Sequence, residues 1–222
     1  MTRPRGATPT GAPPLRVAGV ILAAGSGSRF GGDKLLAEVD GRPLVRHVVD
    51  AAVAAGLDPV VVVEPPAGAL GGVDLAPAAR VVNAKPDEGL SSSVRLGLRA
   101  LDSDGALAVD AAVILPGDQP LVRAATIRAL VAAAGESPRT PFVVARHADG
   151  APNPVLARRS IWRLADELVG DRGFGPILAT HPELVREVSI EGSNPDVDTR
   201  ADLVRLTGGA APEAGTAGGD VS

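Results

Sequence analysis

The chain has 222 residues, enough for one sizeable core, and its 45% hydrophobic and 22% charged residues are typical of a globular protein. It has no cysteine, which excludes disulfides, thiolate catalysis and zinc–sulfur or iron–sulfur sites. The net charge of −4 and the aromatic content of 2% argue against a nucleic-acid partner. No apolar run reaches the roughly 20 residues that cross a bilayer, and the N-terminus lacks the apolar segment of a secretory signal. We therefore expect a cytoplasmic protein with no membrane partner.

Strands and helices alternate in the hydrophobic pattern of the first 145 residues. Apolar, β-branched runs predict strands within 16–25, 59–64, 79–84, 110–120 and 140–147. Apolar residues at helical spacing predict helices at 43–56, 91–101 and 123–135. This alternation predicts an α/β fold, with an open, mostly parallel sheet and right-handed crossovers.

The remaining residues predict less regular structure. We expect a short strand at Val155–Ala157, a helix at Ser160–Leu168 and a strand at 184–190. The last helix follows the turn at 194–199 and is capped by Thr199 or Asp198. Small residues, Gly and Pro fill both ends of the chain, so we interpret 1–14 and 207–222 as disordered tails around one domain at 15–206.

A glycine-rich segment, LAAGSGSRFGGDK at 22–34, follows the first predicted strand. Ligands of open α/β sheets bind beyond the carboxyl ends of the strands. The backbone N–H groups of this segment, together with Arg29 and Lys34, could surround a polyphosphate. Lys34 and Lys85 are the two lysines among 22 basic residues, which suggests that Lys34 fills a place requiring a compact cation. The alternative is a surface loop without a ligand.

Two common phosphate motifs do not match this segment. A Walker A loop requires G-x-x-x-x-G-K-[ST], but Asp33 separates Gly32 from Lys34, and Leu35 stands where the hydroxyl should be. A Rossmann fingerprint has its ribose-binding acid about 20 residues after the glycines, whereas Glu64 lies much farther along the chain.

Two groups of acids could bind the Mg²⁺ that normally accompanies a nucleoside triphosphate. Asp118 follows a buried strand, in a turn fixed by flanking prolines, and a turn-forming role is the alternative. Asp196 and Asp198 point to opposite sides if the chain is extended, so one of them could join Asp118. We favour Asp198 as the second metal ligand, although it could instead cap the last helix. The three histidines lie in separate segments without ligand spacing.

Several motifs together resemble the nucleotidyltransferases of the molybdenum-cofactor type over roughly 17–206. They are VILAAGSGSRFGGDKLL, EGLSSSVRLGL, LPGDQP, GAPNPVL, GDRG and NPDVDT. LAAG and DQP are more similar to the cytidylyltransferase branch of this family than to the guanylyltransferase branch, which typically has LAGG and DMP. The sequence departs from the family pattern at Asn153, where His is common, and at Phe174 and Gly175, where GDRGAR is expected. Both departures lie where the acceptor should bind.

The resemblance implies a three-layer α/β/α, Rossmann-like fold and transfer of CMP from CTP to a molybdopterin-type phosphate acceptor, with release of pyrophosphate. Nucleotide contacts would come from Leu22, Ala23, Ala24, Gly25, Gly27, Arg29, Lys34, Gly89, Ser92 and Asp118. Arg29, Lys34 and Asp118 would be the catalytic residues, and Asp118 and Asp198 would bind Mg²⁺. A transient contact with a molybdoenzyme or its chaperone would follow. The alternatives are another NTP or acceptor on the same fold, or a non-catalytic module that handles molybdenum cofactor.

Overall fold

A computed structural model describes residues 14–25, 30, 34–68, 70–103, 109–148 and 152–208. Within them the strands are β1 Val17–Leu22, β2 Glu38–Val39, β3 Arg42–Pro43, β4 Val60–Glu64, β5 Ala79–Val82, β6 Ala111–Pro116, β7 Phe142–Arg146, β8 Val155–Arg158 and β9 Val185–Ser189. The α-helices are α1 Leu44–Ala54, α2 Leu90–Ser103, α3 Ala124–Glu136, α4 Gly175–Thr180 and α5 Arg200–Leu206. Short 3₁₀ helices lie at Lys34–Leu36, Pro66–Gly68, Pro86–Glu88, Arg159–Glu167 and Pro182–Leu184. The predicted tails fall almost entirely outside the described residues.

Seven of these strands form one sheet, in the order β5-β4-β1-β6-β8-β7-β9. All neighbouring strands pair in parallel except for the two pairings that β8 makes with β6 and β7. The interior strand β1 lies between β4 and β6, with Ile21 opposite both Val62 and Leu115. The predicted open, mostly parallel sheet is therefore confirmed.

Helices cover both faces of the sheet, as the three-layer prediction requires. Alternate side chains of β1 enter two separate cores: Val17 and Ile21 pack with α1 and α3, and Ala18 and Val20 pack with α2 and the 3₁₀ helix Arg159–Glu167. Helix α2 approaches the sheet closely because it carries Gly97, where an added Cβ would lie 2.4 Å from Val20 Cγ1.

The structure corrects one element. The helix predicted at 160–168 is the 3₁₀ helix Arg159–Glu167. Its buried side chains, Trp162 and Ala165, and the following Leu168 recur every three residues, which matches the 3.0-residue turn of a 3₁₀ helix. The β2–β3 hairpin and α4 were not predicted, because strands of two residues and a helix of six leave little periodicity to detect.

The cap of α5 is Thr199, one of the two predicted alternatives. The Thr199 hydroxyl accepts a hydrogen bond from the Asp202 backbone N–H, and the Asp202 carboxylate accepts one from the Thr199 N–H at 2.7 Å. This reciprocal capping box satisfies the start of the helix. The Asp198 side chain is therefore left for another role.

Candidate active site

A cleft of about 720 Å³ opens at the carboxyl edge of the sheet. The ends of β1 and β6 contribute Leu22 and Pro116, and the first turn of α2 contributes Leu90 and Ser93. Open parallel sheets bind their ligands at this edge. The size and position of the cleft suit a small-molecule substrate.

Lys34 lies between two aspartates close to the end of β6. Its Nζ is 2.6 Å from Asp118 Oδ2 and 3.0 Å from Asp198 Oδ1, and the lysine side chain is only 13% exposed. Burial opposes its charge, but the adjacent carboxylate of Asp118, assisted by Asp198, outweighs burial and raises the pKa of Lys34. An ammonium has three N–H donors, so one remains for a further acceptor.

A backbone contact between two distant segments brings Asp198 close to Lys34. The Val197 N–H donates to the Asp118 carbonyl at 3.0 Å, which fixes the 194–198 segment beside the end of β6. The Val197 side chain is buried in a small core with Phe30, Val39 and Leu44. Lys34 and Asp198, which are 164 positions apart in the sequence, are therefore in direct contact.

Asp196 also lines the cleft but contacts a different residue. Its Oδ1 accepts a hydrogen bond of 2.8 Å from the Gln119 side-chain amide. Burial, and then the negative charge of Asp118, raise the pKa of Asp196 above its usual 3.8. The two alternatives for the second metal ligand therefore differ in surroundings, since Asp198 shares Lys34 with Asp118 and Asp196 does not.

The charge of the cleft bears on whether a metal fits. Its described lining contains Lys34 and five aspartates, namely Asp87, Asp118, Asp171, Asp196 and Asp198. A triphosphate would be repelled by these carboxylates without an accompanying cation. Carboxylate oxygens are the ligands that Mg²⁺ and Mn²⁺ prefer, so Asp118 and Asp198 fit such an ion. No group of three or more His, Asp or Glu in the described part of the chain could hold a metal by itself. Phosphate oxygens or water would have to complete the coordination.

The structure brings most of the predicted site residues together. Those that line the cleft are Leu22, Ala24, Gly25, Lys34, Gly89, Asp118 and Asp198. Ala23 is not among the lining residues: its side chain packs in the core on the α1 and α3 side, and its N–H donates to Val63 O. Gly27 and Arg29 lie outside the described residues. The predicted contribution of Arg29 therefore stays a prediction.

The serines of α2 differ from the expectation. Ser92, which the sequence suggested, donates its hydroxyl to Gly89 O at 2.8 Å and accepts from Asn83 Nδ2 at 2.8 Å, so it supports the backbone and does not line the cleft. Ser93 lines the cleft. Its hydroxyl accepts from Asn83 Nδ2 at 3.0 Å, which leaves its own proton for a ligand. The sequence has three consecutive serines here and does not indicate which of them faces the cleft.

The cleft lining also includes the residues at which the sequence departs from its family pattern. Asn153, Phe174 and Gly175 all line the cleft. The Phe174 ring packs on Phe142, with centroids 5.1 Å apart, and is only 4% exposed. Phe174 is thus part of the core as well as of the cleft wall.

Glu64 and His47, two further candidates from the sequence, contact residues outside the cleft. Glu64 is buried at the end of β4 and forms an ion pair with Arg80 at 2.6 Å, outside the cleft lining. It therefore does not act as a Rossmann ribose ligand. His47 Nε2 lies 2.8 Å from Val39 O, consistent with a packing role.

A mostly parallel sheet with a substrate-sized, acidic cleft at its carboxyl edge, and a lysine held between two aspartates there, suits a phosphate-bearing ligand that binds together with a divalent cation. Residues 19–185 match the model of the MobA-like NTP transferase domain, and the chain belongs to this family.

Curated relatives share the domain as part of larger proteins. The bifunctional protein GlmU of Paracidovorax citrulli is 38% identical over 127 residues, which are 52% of this chain and 25% of that protein. The bifunctional enzyme IspD/IspF of Rhodospirillum rubrum is 34% identical over 178 residues, 75% of this chain and 45% of that enzyme. The chain thus spans about a quarter to a half of the length of these relatives.

Solved structures cover more of the chain. Rv0371c of Mycobacterium tuberculosis H37Rv is 28% identical, with a TM-score of 0.74 over 88% of this chain and 99% of that one. A complex of Rv0371c with manganese is 27% identical, with a TM-score of 0.73 over 88% of this chain and 100% of that one.

Across the described ranges, no helix is both long and apolar enough to span a membrane.

Proposed function

We propose that this chain transfers CMP from CTP to a molybdopterin-type phosphate acceptor and releases pyrophosphate, in the cytoplasm. The observation that carries the proposal is the cluster of Lys34, Asp118 and Asp198 in a cleft that also contains the end of β1, in a chain of the NTP transferase family. We further propose that residues 15–206 form the transferase domain, flanked by tails.

The nucleotide base would lie against the segment after β1 and the start of α2. Ala24 occupies the position where the guanylyltransferase branch has the first glycine of its LAGG motif, and it is 4% exposed in the cleft lining. Its methyl group reduces the space next to Gly25, which favours a pyrimidine over a larger purine. Ser93 would donate its free hydroxyl proton to an acceptor on the base.

The reaction requires positioning and charge stabilisation more than covalent chemistry by the protein. An acceptor oxygen attacks the α-phosphorus, the bond from the α-phosphorus to the bridging oxygen breaks, and pyrophosphate leaves with that electron pair. Lys34 directs its remaining N–H at the phosphates, and Arg29 is proposed to do the same from the glycine-rich segment. A Mg²⁺ or Mn²⁺ ion bound by Asp118 and Asp198 would draw negative charge from phosphate oxygens.

The acceptor would bind against Asn153, Phe174 and Gly175. A phosphate acceptor is already a nucleophile at neutral pH and requires no general base. Accordingly, no histidine is found among the described residues that line the cleft. Phe174 and Gly175 replace a small residue and a cation of the family pattern, and this difference favours, as the second candidate, another small phosphate or alcohol as the acceptor.

The test is pyrophosphate release from each of the four NTPs with Mg²⁺, with and without a molybdopterin-type phosphate acceptor. We expect release that depends on the acceptor and is fastest with CTP, and no release by the Asp118→Asn variant. Release with CTP and a different acceptor would support the second candidate. If no NTP supports release and Asp118→Asn still sustains molybdoenzyme maturation in cells, the chain is a non-catalytic handling module.

A further inference from the structure

Gln119 is a buried polar side chain that joins the turn after β6, which contains Asp118, to the 194–198 segment, which contains Asp196 and Asp198. It directly follows Asp118 and is only 1% exposed. Its Nε2 donates to Asp196 Oδ1 at 2.8 Å, and its Oε1 accepts from Asn194 Nδ2 at 2.9 Å. We propose that Gln119 is a positioning residue that sets the separation of the Asp118 and Asp198 carboxylates. This proposal rests on the nucleotidyltransferase function proposed above.

Both ends of the Gln119 amide are used by one segment, 194–198. An ionised carboxylate can only accept hydrogen bonds, so the nitrogen end must face Asp196 and the oxygen end must face Asn194. The backbone bond from Val197 N–H to Asp118 O adds a third link at 3.0 Å. Three hydrogen bonds therefore join the residues after β6 to the segment that ends at Asp198.

The bond to Asp196 has a consequence for Lys34. Asp196 is a third carboxylate that lines the same cleft as Asp118, Asp198 and Lys34. Because Gln119 donates a hydrogen bond to the Asp196 carboxylate, Asp196 does not need Lys34 as a hydrogen-bond donor. Without that donor, Asp196 would compete with Asp198 for the Lys34 ammonium, and the Asp118–Asp198 separation would no longer be fixed.

The main test is Gln119→Met in the full chain, because methionine has a similar volume but cannot make either hydrogen bond. We expect the affinity for Mn²⁺, measured by electron paramagnetic resonance titration, to fall at least tenfold. At a Mn²⁺ concentration that saturates each variant, affinity for CTP should stay within twofold, and kcat should fall more than the KM for CTP rises. The matched control is Leu130→Ala, a fully buried site on α3, which should lower the melting temperature without changing Mn²⁺ affinity.

A charge exchange keeps the proposal testable if Gln119→Met folds poorly. Gln119→Glu places two carboxylates against each other, and adding Asp196→Asn restores a donor and an acceptor at that contact. We expect Asp196→Asn to improve Mn²⁺ affinity at least tenfold in the Gln119→Glu background, but not in the wild-type background. The same effect of Asp196→Asn in both backgrounds would overturn the proposal.

The outcomes separate this proposal from the proposed function. If the wild type binds Mn²⁺, Asp118→Asn abolishes binding and Gln119→Met leaves it unchanged, only the positioning role is wrong. If the wild type binds neither Mn²⁺ nor CTP, the proposed function fails and the role of Gln119 fails with it.

Discussion

Lys34 Nζ lies 2.6 Å from Asp118 Oδ2, which joins the segment after β1 to the end of β6 at the mouth of the cleft. Asp198 contacts the same nitrogen at 3.0 Å. One ammonium thus holds together two carboxylates from distant parts of the chain, and it retains a donor for a substrate phosphate.

Replacing Lys34 should therefore impair transfer strongly. A lost charge-assisted hydrogen bond costs about 1.5–3 kcal/mol, so we expect Lys34→Ala to lower kcat/KM about 10- to 150-fold. The measurement is steady-state pyrophosphate release with CTP and Mg²⁺. Lys85→Ala is the matched control, since Lys85 is exposed and contacts Glu88. A Lys34→Ala variant within twofold of the wild type would show that this lysine does not bind the phosphates.

Metal binding should depend on two of the cleft aspartates and not on a third. Asp118→Asn and Asp198→Asn each remove a charged oxygen ligand, so we expect Mn²⁺ affinity and transfer to fall about 100-fold or more. Asp171→Asn changes an aspartate of the same cleft that does not pair with Lys34, and it should bind Mn²⁺ like the wild type. Calorimetric titration with Mn²⁺ decides this, and equal losses in all three variants would contradict a specific site.

Adjacent serines of α2 should give different phenotypes. Ser93→Ala removes a hydroxyl donor from the cleft, and we expect CTP affinity to fall about 2- to 12-fold, the equivalent of about 0.5–1.5 kcal/mol. Ser92→Ala instead leaves Asn83 with one partner fewer, so it should lower the free energy of unfolding by about 1–3 kcal/mol with little change in CTP affinity. Fluorescence titration and urea denaturation distinguish the two. The reverse pattern would favour Ser92 as the ligand.

The preference for CTP should depend on Ala24. Ala24→Gly enlarges the cleft beside the base, so the ratio of kcat/KM for CTP to that for GTP should fall, by about tenfold if one methyl group decides the fit. Competition between CTP and GTP in one reaction measures this ratio directly. An unchanged ratio would show that the base is selected elsewhere.

Asp196 gives a pH-dependent prediction for the metal-free protein. Burial and the charge of Asp118 raise its pKa above 3.8, so its ionisation opposes folding once the pH exceeds 3.8. Asp196→Asn should therefore raise the free energy of unfolding in EDTA at pH 7, and the gain should disappear below pH 3.8. Urea denaturation at both pH values is the measurement.

Asp202 provides a control of opposite sign. Hydrogen bonds from Thr199 and the contact with Arg205 lower the pKa of Asp202 to about 2, so its ionised form stabilises the fold above its ordinary pKa. Asp202→Asn should lower the free energy of unfolding at pH 7, and this loss should shrink as the pH falls toward 2. Changes of the same sign at Asp196 and Asp202 would contradict the assigned environments.

The sequence predicted the sheet and the main helices because their apolar periodicity is local. The fully buried β1 and β4 carry that signal as continuous apolar runs, except for Glu64 at the end of β4. It could not distinguish Ser92 from Ser93, because neighbouring residues at a helix start differ only in rotation about the axis. It singled out the DQP motif but gave no indication of the contacts of Gln119, whose partner Asp196 lies 77 positions away. Such contacts depend on chain crossings that periodicity does not encode.

The most direct test of the proposed Mg²⁺–CTP site is a thermal-unfolding panel of CTP, UTP, GTP and ATP, with and without Mg²⁺, for the wild type and Asp118→Asn. We expect CTP with Mg²⁺ to raise the melting temperature of the wild type well beyond GTP or ATP, and no such rise in Asp118→Asn. Equal shifts for all four nucleotides would contradict the base preference. No shift with any nucleotide would contradict the assignment of this cleft as an NTP site.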